Sequence, residues 1–264
     1  MGQRLLRGIL KRAARSLRSK PFAMRNTTPL LSFTFDDVPE SAFTNGAAIL
    51  EHYGVRGTFY IAAGTCGTID THWRVIDHDQ IRALHHRGHE IGCHTFSHAR
   101  VDMLDGRAME DECRRNADAL RDVCPDIRLT NFCYPYGQVS LPRKLQLQKR
   151  FDSCRGCFEG INAGIVDLGL LRVIELYERK LTCDAVRRLV RETRDRNGWL
   201  ILYTHDVAET PSWIGCSPQL LRAAVEAAQE AKIPCPTIRE ALTAIGYSRT
   251  NAGGVGAIAS NTLP

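Results

Sequence analysis

Two neighbouring carboxylates, Asp36 and Asp37, end the run Leu31-Ser32-Phe33-Thr34-Phe35. Val38-Pro39 follows, and proline stops a strand because it has no N–H for a ladder and restricts the residue before it. Side chains alternate along a strand, yet two carboxylates at a strand end face one pocket if the backbone turns there. Buried charge needs a partner or a metal, so this pair is the first candidate for chemistry. His94 and His98, in His94-Thr95-Phe96-Ser97-His98, are the second. Four apart on one face of a helical turn, two imidazoles can bind one cation. With a carboxylate they make a set that keeps positions open for water and substrate, as a hydrolytic metal site needs. Such donors suit zinc, cobalt, nickel or iron; the alternative is a pair of surface histidines. Pro135-Tyr136-Gly137 offers a backbone N–H to a developing oxyanion. His205, after the apolar run 199–204, is either a satisfied core residue or a general acid opposite the metal and a carboxylate base.

Alternating elements must position these groups. Strands are expected at 30–35, 57–62, 90–93, 130–134, near 151–153, and at 171–177 and 199–204. Helices are expected at 41–52, 77–87, 107–123, 142–150, 182–196 and 217–231, with a closing segment at 236–245. Thr182 is the expected N-cap of its helix. Near-continuously apolar strands alternating with helices imply a parallel sheet covered by helices. About seven such units imply an α/β fold, a (β/α) barrel in regular or distorted form. In that architecture functional groups gather at the C-terminal ends of strands. Asp36-Asp37, His94, Tyr136 and His205 all fall at such ends.

The 264 residues, 44% of them hydrophobic, suffice for one large domain or two small ones. Residues 1–25 hold eight basic side chains and no acidic one, which leaves 27 basic and 29 acidic in the rest. The body is therefore not basic, and no nucleic-acid partner is expected. Leu5, Leu6, Ile9, Leu10, Ala13 and Leu17 recur at helical spacing among arginines. This arm reads as a peripheral anchor on an anionic membrane or as a solvated, frayed tail. Arg7 and Lys11 interrupt every apolar stretch a secretory signal would need. The expected division is an arm and linker at 1–28, a catalytic domain at 29–246 and a disordered Gly/Ala/Ser/Asn-rich tail at 247–264. Ten scattered cysteines read as reduced, buried thiols, with a cytoplasmic location, peripheral on the inner membrane face, as the expectation. Cys154-Arg155-Gly156-Cys157 has no second CxxC and reads as structural.

Thr34-Phe35-Asp36-Asp37, His94-Thr95-Phe96-Ser97-His98, Tyr134-Pro135-Tyr136-Gly137 and Leu202-Tyr203-Thr204-His205-Asp206 occur in that order. Together the chain resembles the metal-dependent polysaccharide deacetylases with a NodB-type domain, carbohydrate esterase family 4, over about residues 29–246. The resemblance implies a distorted (β/α) barrel that hydrolyses an N- or O-acetyl group on a sugar, with a divalent metal, zinc foremost. It implies Asp36 as general base, Asp37, His94 and His98 as metal ligands, the Tyr136 N–H at the oxyanion, and His205 as the acid that protonates the leaving amine. Histidine suits that task because an imidazole ordinarily titrates near physiological pH.

Three positions depart from the family pattern. Cys133 stands where an arginine usually pairs with the base, so either Arg155 or Arg172 reaches Asp36 instead or the base is less tightly held. The signature that tunes the acid histidine is absent, with Asp167 a partial substitute. Tyr203 replaces a leucine that lines the acetyl-methyl pocket. Trp73 and Trp213, in loop-like segments, are candidates to stack on the sugar, with plain packing the alternative; Trp199 reads as packing. These departures leave two other readings open, hydrolysis of a non-sugar amide and a low-activity carbohydrate-binding protein.

Overall fold

The computed structural model of the chain describes residues 2–70 and 72–249. Seven parallel strands close into a barrel: β2 (Leu30–Asp36), β3 (Thr58–Ile61), β4 (Glu90–Cys93), β5 (Asn131–Cys133), β6 (Ser153–Glu159), β8 (Leu171–Glu175) and β9 (Trp199–Thr204). The short strands β1 (Pro21–Ala23) and β7 (Ile165–Asp167) pair antiparallel outside it. The helices are α1 (Gly2–Ser16), α2 (Ala48–His52, continuing a π-helical turn at Ala42–Ala47), α3 (His78–His86), α4 (Gly106–Val123), α5 (Leu141–Arg150), α6 (Cys183–Asp195), α7 (Pro218–Glu230) and α8 (Ile238–Ala244). The closure is broadest at β9–β2, where Leu30 to Phe35 pair in register with Trp199 to Thr204. It is thinnest at β4–β5, where only Cys93 and Phe132 align, and β6–β8 carries a register shift between Arg155 and Glu159. The barrel is distorted, as expected.

Local signals set the helix starts. Asp77 with Gln80, and Thr237 with Glu240, form capping boxes, and Thr182 accepts the Ala185 N–H, each satisfying an orphan donor of the first turn. Strand parity sets the layers. Leu31, Phe33 and Phe35 pack outward in one apolar cluster with Phe59, Ile91, Leu200 and Leu202, and the Phe35 and Phe59 rings stack at 4.6 Å. The intervening row Ser32, Thr34 and Asp36 belongs to the other face, where the Trp199 indole N–H donates to Ser32 Oγ at 2.9 Å. Trp199 is thus packing, as expected. The lower interior is tied by Glu90, which accepts from Thr58 Oγ1 at 2.9 Å and Asn131 Nδ2 at 2.5 Å. The same parity sends Cys154 to the outer cluster with Phe132 and Cys157 to the cavity above the barrel. Their CxxC cannot converge on one ion, and its structural reading stands.

The basic arm differs from expectation. Its helix forms and is docked, with Ala14 fully buried, and three of its cations point inward. Lys11 reaches Gln138 at 2.7 Å and Asp102 at 3.0 Å. Arg15 lies over the Phe158 ring at 4.6 Å. Lys20 donates to the carbonyls of Phe151 and Asp152 at 3.0 and 2.8 Å. Strand β1 occupies the expected linker. These contacts give Lys11, Arg15 and Lys20 partners on the barrel, so the arm is docked rather than a free tail. No helix among the described residues is long and apolar enough to cross a membrane. Of the tail, residues 250–264 lie outside the described residues.

Lys144 is central to this docking. Fully buried, it donates to the carbonyls of Ala14 and Leu17, both at 2.6 Å, and pairs with Asp167 at 2.6 Å. It thereby caps the carbonyl end of α1. Lys144→Met removes the ammonium, leaves Asp167 and two carbonyls without it, and is expected to cost about 3 kcal/mol. Thermal unfolding by circular dichroism should show a fall of roughly 6–12 °C. An unchanged melting temperature would mean that α1 is not anchored through this residue.

Candidate active site

Asp36 ends β2 on its inward row. The next two residues leave the strand in left-handed conformations, Asp37 at φ 56° and Val38 at φ 45°, and the Val38 N–H donates back to the Asp36 carbonyl at 2.6 Å. A β-branched residue seldom adopts that backbone. Here it folds the Asp37 carboxylate into the same cavity as Asp36, the turn the sequence required. Seven non-glycine residues among those described have positive φ, and five are site residues or their neighbours: Asp37, Val38, Thr95, His98 and Tyr136. Such strain is sustained only where the surroundings over-determine it.

The histidine pair shows how. His94 and His98 do not lie on a helical turn; Thr95 (φ 62°) and His98 (φ 55°) make an irregular loop. Glu112, from α4, takes the loop's donors, accepting Phe96 N at 2.9 Å, Ser97 N at 2.8 Å and Ser97 Oγ at 2.8 Å. The loop's otherwise unpartnered backbone donors thus go to one buried carboxylate. Both imidazoles still converge: Asp37 Oδ1 lies 3.4 Å from His94 Nε2 and 3.1 Å from His98 Nε2.

The donor set fits a divalent cation. Asp37, His94 and His98 each offer one ligand atom, all within 4.8 Å of one another. His94 Nδ1 is 2.9 Å from the Cys133 carbonyl, which only accepts, so that nitrogen carries the proton and Nε2 presents its lone pair inward. Burial and the neighbouring His94 push His98 down to about 4, so its ring is neutral at pH 7. Burial works against charge on Asp37, but His94, by hydrogen bond and charge, and His98 hold it well below the usual carboxylate range. Burial likewise lowers His94, while Asp37 and Asp36 raise it above the ordinary value. Two carboxylates thus favour a positive charge at this point. The overlapping set Asp36, His94 and Cys133 does not fit, because burial pushes the Cys133 thiol well up and Asp36 is otherwise engaged.

That engagement answers the question left by Cys133. Arg155, on the inward row of β6 and 1% exposed, is ion-paired with Asp36 Oδ1. The Cys133 thiol donates to Oδ2 at 3.5 Å. The guanidinium lies 4.5 Å from the Tyr60 ring and 5.2 Å from that of Tyr203. Space for Tyr60 comes from Gly92, where a Cβ would lie 2.5 Å from that ring. Burial would raise the Asp36 carboxyl, but Arg155, by charge and hydrogen bond, together with His94 and His205, outweighs it and keeps the group low. Arg172 is turned away, donating to the Glu159 carbonyl at 2.9 Å. Asp167 is also elsewhere, bound to Lys144 and to the backbone of Lys20, so it supplies nothing to His205.

His205 is held instead by the Ile214 carbonyl, 3.2 Å from Nδ1, with Nε2 3.8 Å from Asp37 Oδ2. Asp206 braces that loop by accepting Ser212 N at 2.7 Å and Ser212 Oγ at 2.6 Å. Trp73 stacks near His205, centroids 6.0 Å apart at 29°. The Tyr136 ring sits 4.4 Å from that of His98 on the left-handed backbone after Pro135. Tyr203 is buried and its hydroxyl donates to Glu175 at 2.8 Å. Trp213 is 60% exposed at the rim. All nine residues singled out from the sequence line one cavity of about 540 Å³, within the roughly 300–1,000 Å³ of ligand sites. Glu112, Glu175 and Tyr177 went unread. Glu175 shares the inward parity of Leu171 and Val173, a signal available in the sequence; Glu112 carries none, because its partners come from another element.

A closed parallel barrel with a carboxylate, two imidazoles and a buried charge pair at its strand ends defines a cation-competent (β/α) barrel. Residues 24–152, just under half of the chain, match the family model for polysaccharide deacetylases, and over that span the chain is similar to that family. A chitin deacetylase of Arthroderma benhamiae is 30% identical over 107 residues, 40% of this chain and 27% of that protein. The chain thus spans well under half the length of that curated relative. Among solved structures, the chitin deacetylase of Colletotrichum lindemuthianum superposes with a TM-score of 0.58 at 18% identity, covering 86% of this chain and 92% of that one. A family 4 acetyl xylan esterase from Clostridium thermocellum, in complex with cobalt, gives 0.58 at 20%, covering 81% and 90%. At such identity these two establish the barrel alone.

Proposed function

We propose that the protein is a metal-dependent hydrolase that removes an acetyl group from an amino sugar or sugar ester. The observation that carries this reading is the Asp37–His94–His98 donor set beside a separately held carboxylate, Asp36. Asp37, His94 and His98 would hold the divalent ion, with zinc first and cobalt, nickel or iron as alternatives. When bound, such an ion polarises the scissile carbonyl and acidifies water. Asp36, kept ionised and oriented by Arg155, takes the proton of the attacking water. The Tyr136 backbone N–H supports the oxyanion. His205 has Nδ1 committed to the Ile214 carbonyl, so Nε2 is the atom that gives its proton to the departing nitrogen or oxygen. Water is consumed, and acetate and the free amine or hydroxyl leave. Trp73 and Trp213 offer faces for the sugar. Tyr203, tied to Glu175, makes the acyl end of the pocket more polar than a leucine would.

The reading is tested by measuring acetate released from chitooligosaccharides, acetylated xylan and lipid-linked amino sugars after chelation and metal reconstitution. Release that stops on chelation and returns with zinc or cobalt supports it, and metal-independent release removes the ion from the reaction. Arg155→Met is expected to lower kcat about 10- to 100-fold with a smaller effect on KM, because Asp36 loses its hold. The same variant should lose about 3 kcal/mol of stability, since an unpaired carboxylate remains buried. Arg155→Lys should recover part of both. A full-rate Arg155→Met enzyme would assign Arg155 to packing alone.

A further inference from the structure

Arg179 lies on the loop after β8. Among the described residues that line the cavity it is the only lysine or arginine. Its guanidinium has three neighbours. Nε donates to the Trp213 carbonyl at 2.5 Å, and the guanidinium carbon lies 5.1 Å from the Trp213 ring centroid and 5.5 Å from that of Tyr177. The carboxylates at the end of β8 and on this loop are used elsewhere. Glu175 is held by Lys180 and the Tyr203 hydroxyl, and Glu178 accepts the Ser217 N–H at 2.9 Å. Among the described residues no carboxylate pairs with Arg179. A guanidinium held by its Nε and its faces keeps its Nη edge for a ligand, and that edge matches an oxyanion. Holding it before the ligand arrives lowers the cost of binding.

We infer that Arg179 is a specificity-determining residue that receives an oxyanion substituent of the substrate, a sugar carboxylate or phosphate ester, at the cavity mouth. This rests on the deacetylase reading, and it narrows the substrate class to acetylated sugars that carry a negative charge. A neutral glycan could use the aromatic faces but would leave the guanidinium edge to water. A competing role exists in the same contacts: the Trp213 carbonyl is one residue from the Ile214 carbonyl that orients His205, so Arg179 could brace the loop.

The test compares kcat/KM for N-acetylglucosamine, N-acetylglucosamine 1-phosphate and N-acetylmuramic acid in the metal-loaded protein. The expected result is a preference of about tenfold or more for a charged sugar over the neutral one, the favoured member telling phosphate from carboxylate. In Arg179→Gln that ratio should collapse toward one, and Arg179→Lys should keep part of it. Equal kcat/KM for charged and neutral sugars in the native protein overturns the inference. So does an Arg179→Gln variant that loses kcat alike on all three, which is the signature of a brace. If none of the three releases acetate, and chitooligosaccharides, acetylated xylan and lipid-linked amino sugars release none either, the deacetylase reading fails separately. Tryptophan fluorescence titrated with N-acetylglucosamine 1-phosphate then decides the site without turnover. Saturation weakened about tenfold in Arg179→Gln supports it, and identical titrations overturn it.

Discussion

Asp36→Asn is expected to lower kcat/KM about 10³- to 10⁴-fold, near the upper end of what a single general base supplies, while bound metal stays at the native level. The amide is isosteric and still offers an oxygen to Arg155, but it cannot take a proton from water. Its neighbour Asp37 cannot substitute, because its Oδ1 is committed between His94 and His98. The change has a structural cost as well, since Arg155 would sit 1% exposed without its counter-charge, worth about 3 kcal/mol. Steady-state rates must therefore be read beside metal content and a melting curve. A folded, metal-loaded Asp36→Asn protein that keeps a tenth of native activity would falsify the assignment of Asp36 as base.

His98→Ala is expected to lower metal affinity by more than the roughly 10- to 100-fold that losing a supporting group costs, with activity falling in proportion to metal loss. One of three protein donors disappears, and the carboxylate Asp37 loses a neighbour 3.1 Å away. Position 98 is left-handed, which costs alanine about 1 kcal/mol. His98→Asn removes the imidazole with a residue that tolerates this backbone, separating ligand loss from strain. Elemental analysis after dialysis is the readout. Native metal content in both variants would remove His98 from the ligand set.

Asp36 and Arg155 illustrate how the legible and illegible parts of the site meet. The carboxylate announces itself locally, by an apolar strand run ending in two acids and a proline. Its partner is 119 positions away and is chosen by the pairing of β5 with β6, which aligns Cys133 with Arg155. The cysteine left the interior short of a cation, and the same inward layer one strand along supplies it. Sequence narrowed that partner to Arg155 or Arg172. Alternation along β6 separates them, since Arg155 is inward with Ser153 and Cys157, whereas Arg172 sits between the inward Leu171 and Val173 and is exposed.

By itself the sequence determined the barrel, its strand ends, the helix cap at Thr182, and nine candidate residues that all line the cavity. These depend on short-range chemistry: side-chain period, proline stops and orphan N–H groups that a neighbour satisfies. Only the tertiary structure decided that the His94–His98 segment is a loop, with left-handed backbone at Thr95 and His98 and its Phe96 and Ser97 N–H groups taken by Glu112 from α4. It also decided that the arm docks, because Lys144 and Asp167 meet it there, and that Arg155 holds Asp36. Each of those outcomes joins groups far apart in the chain, and contacts of that range are fixed by strand register and packing, which no local pattern encodes.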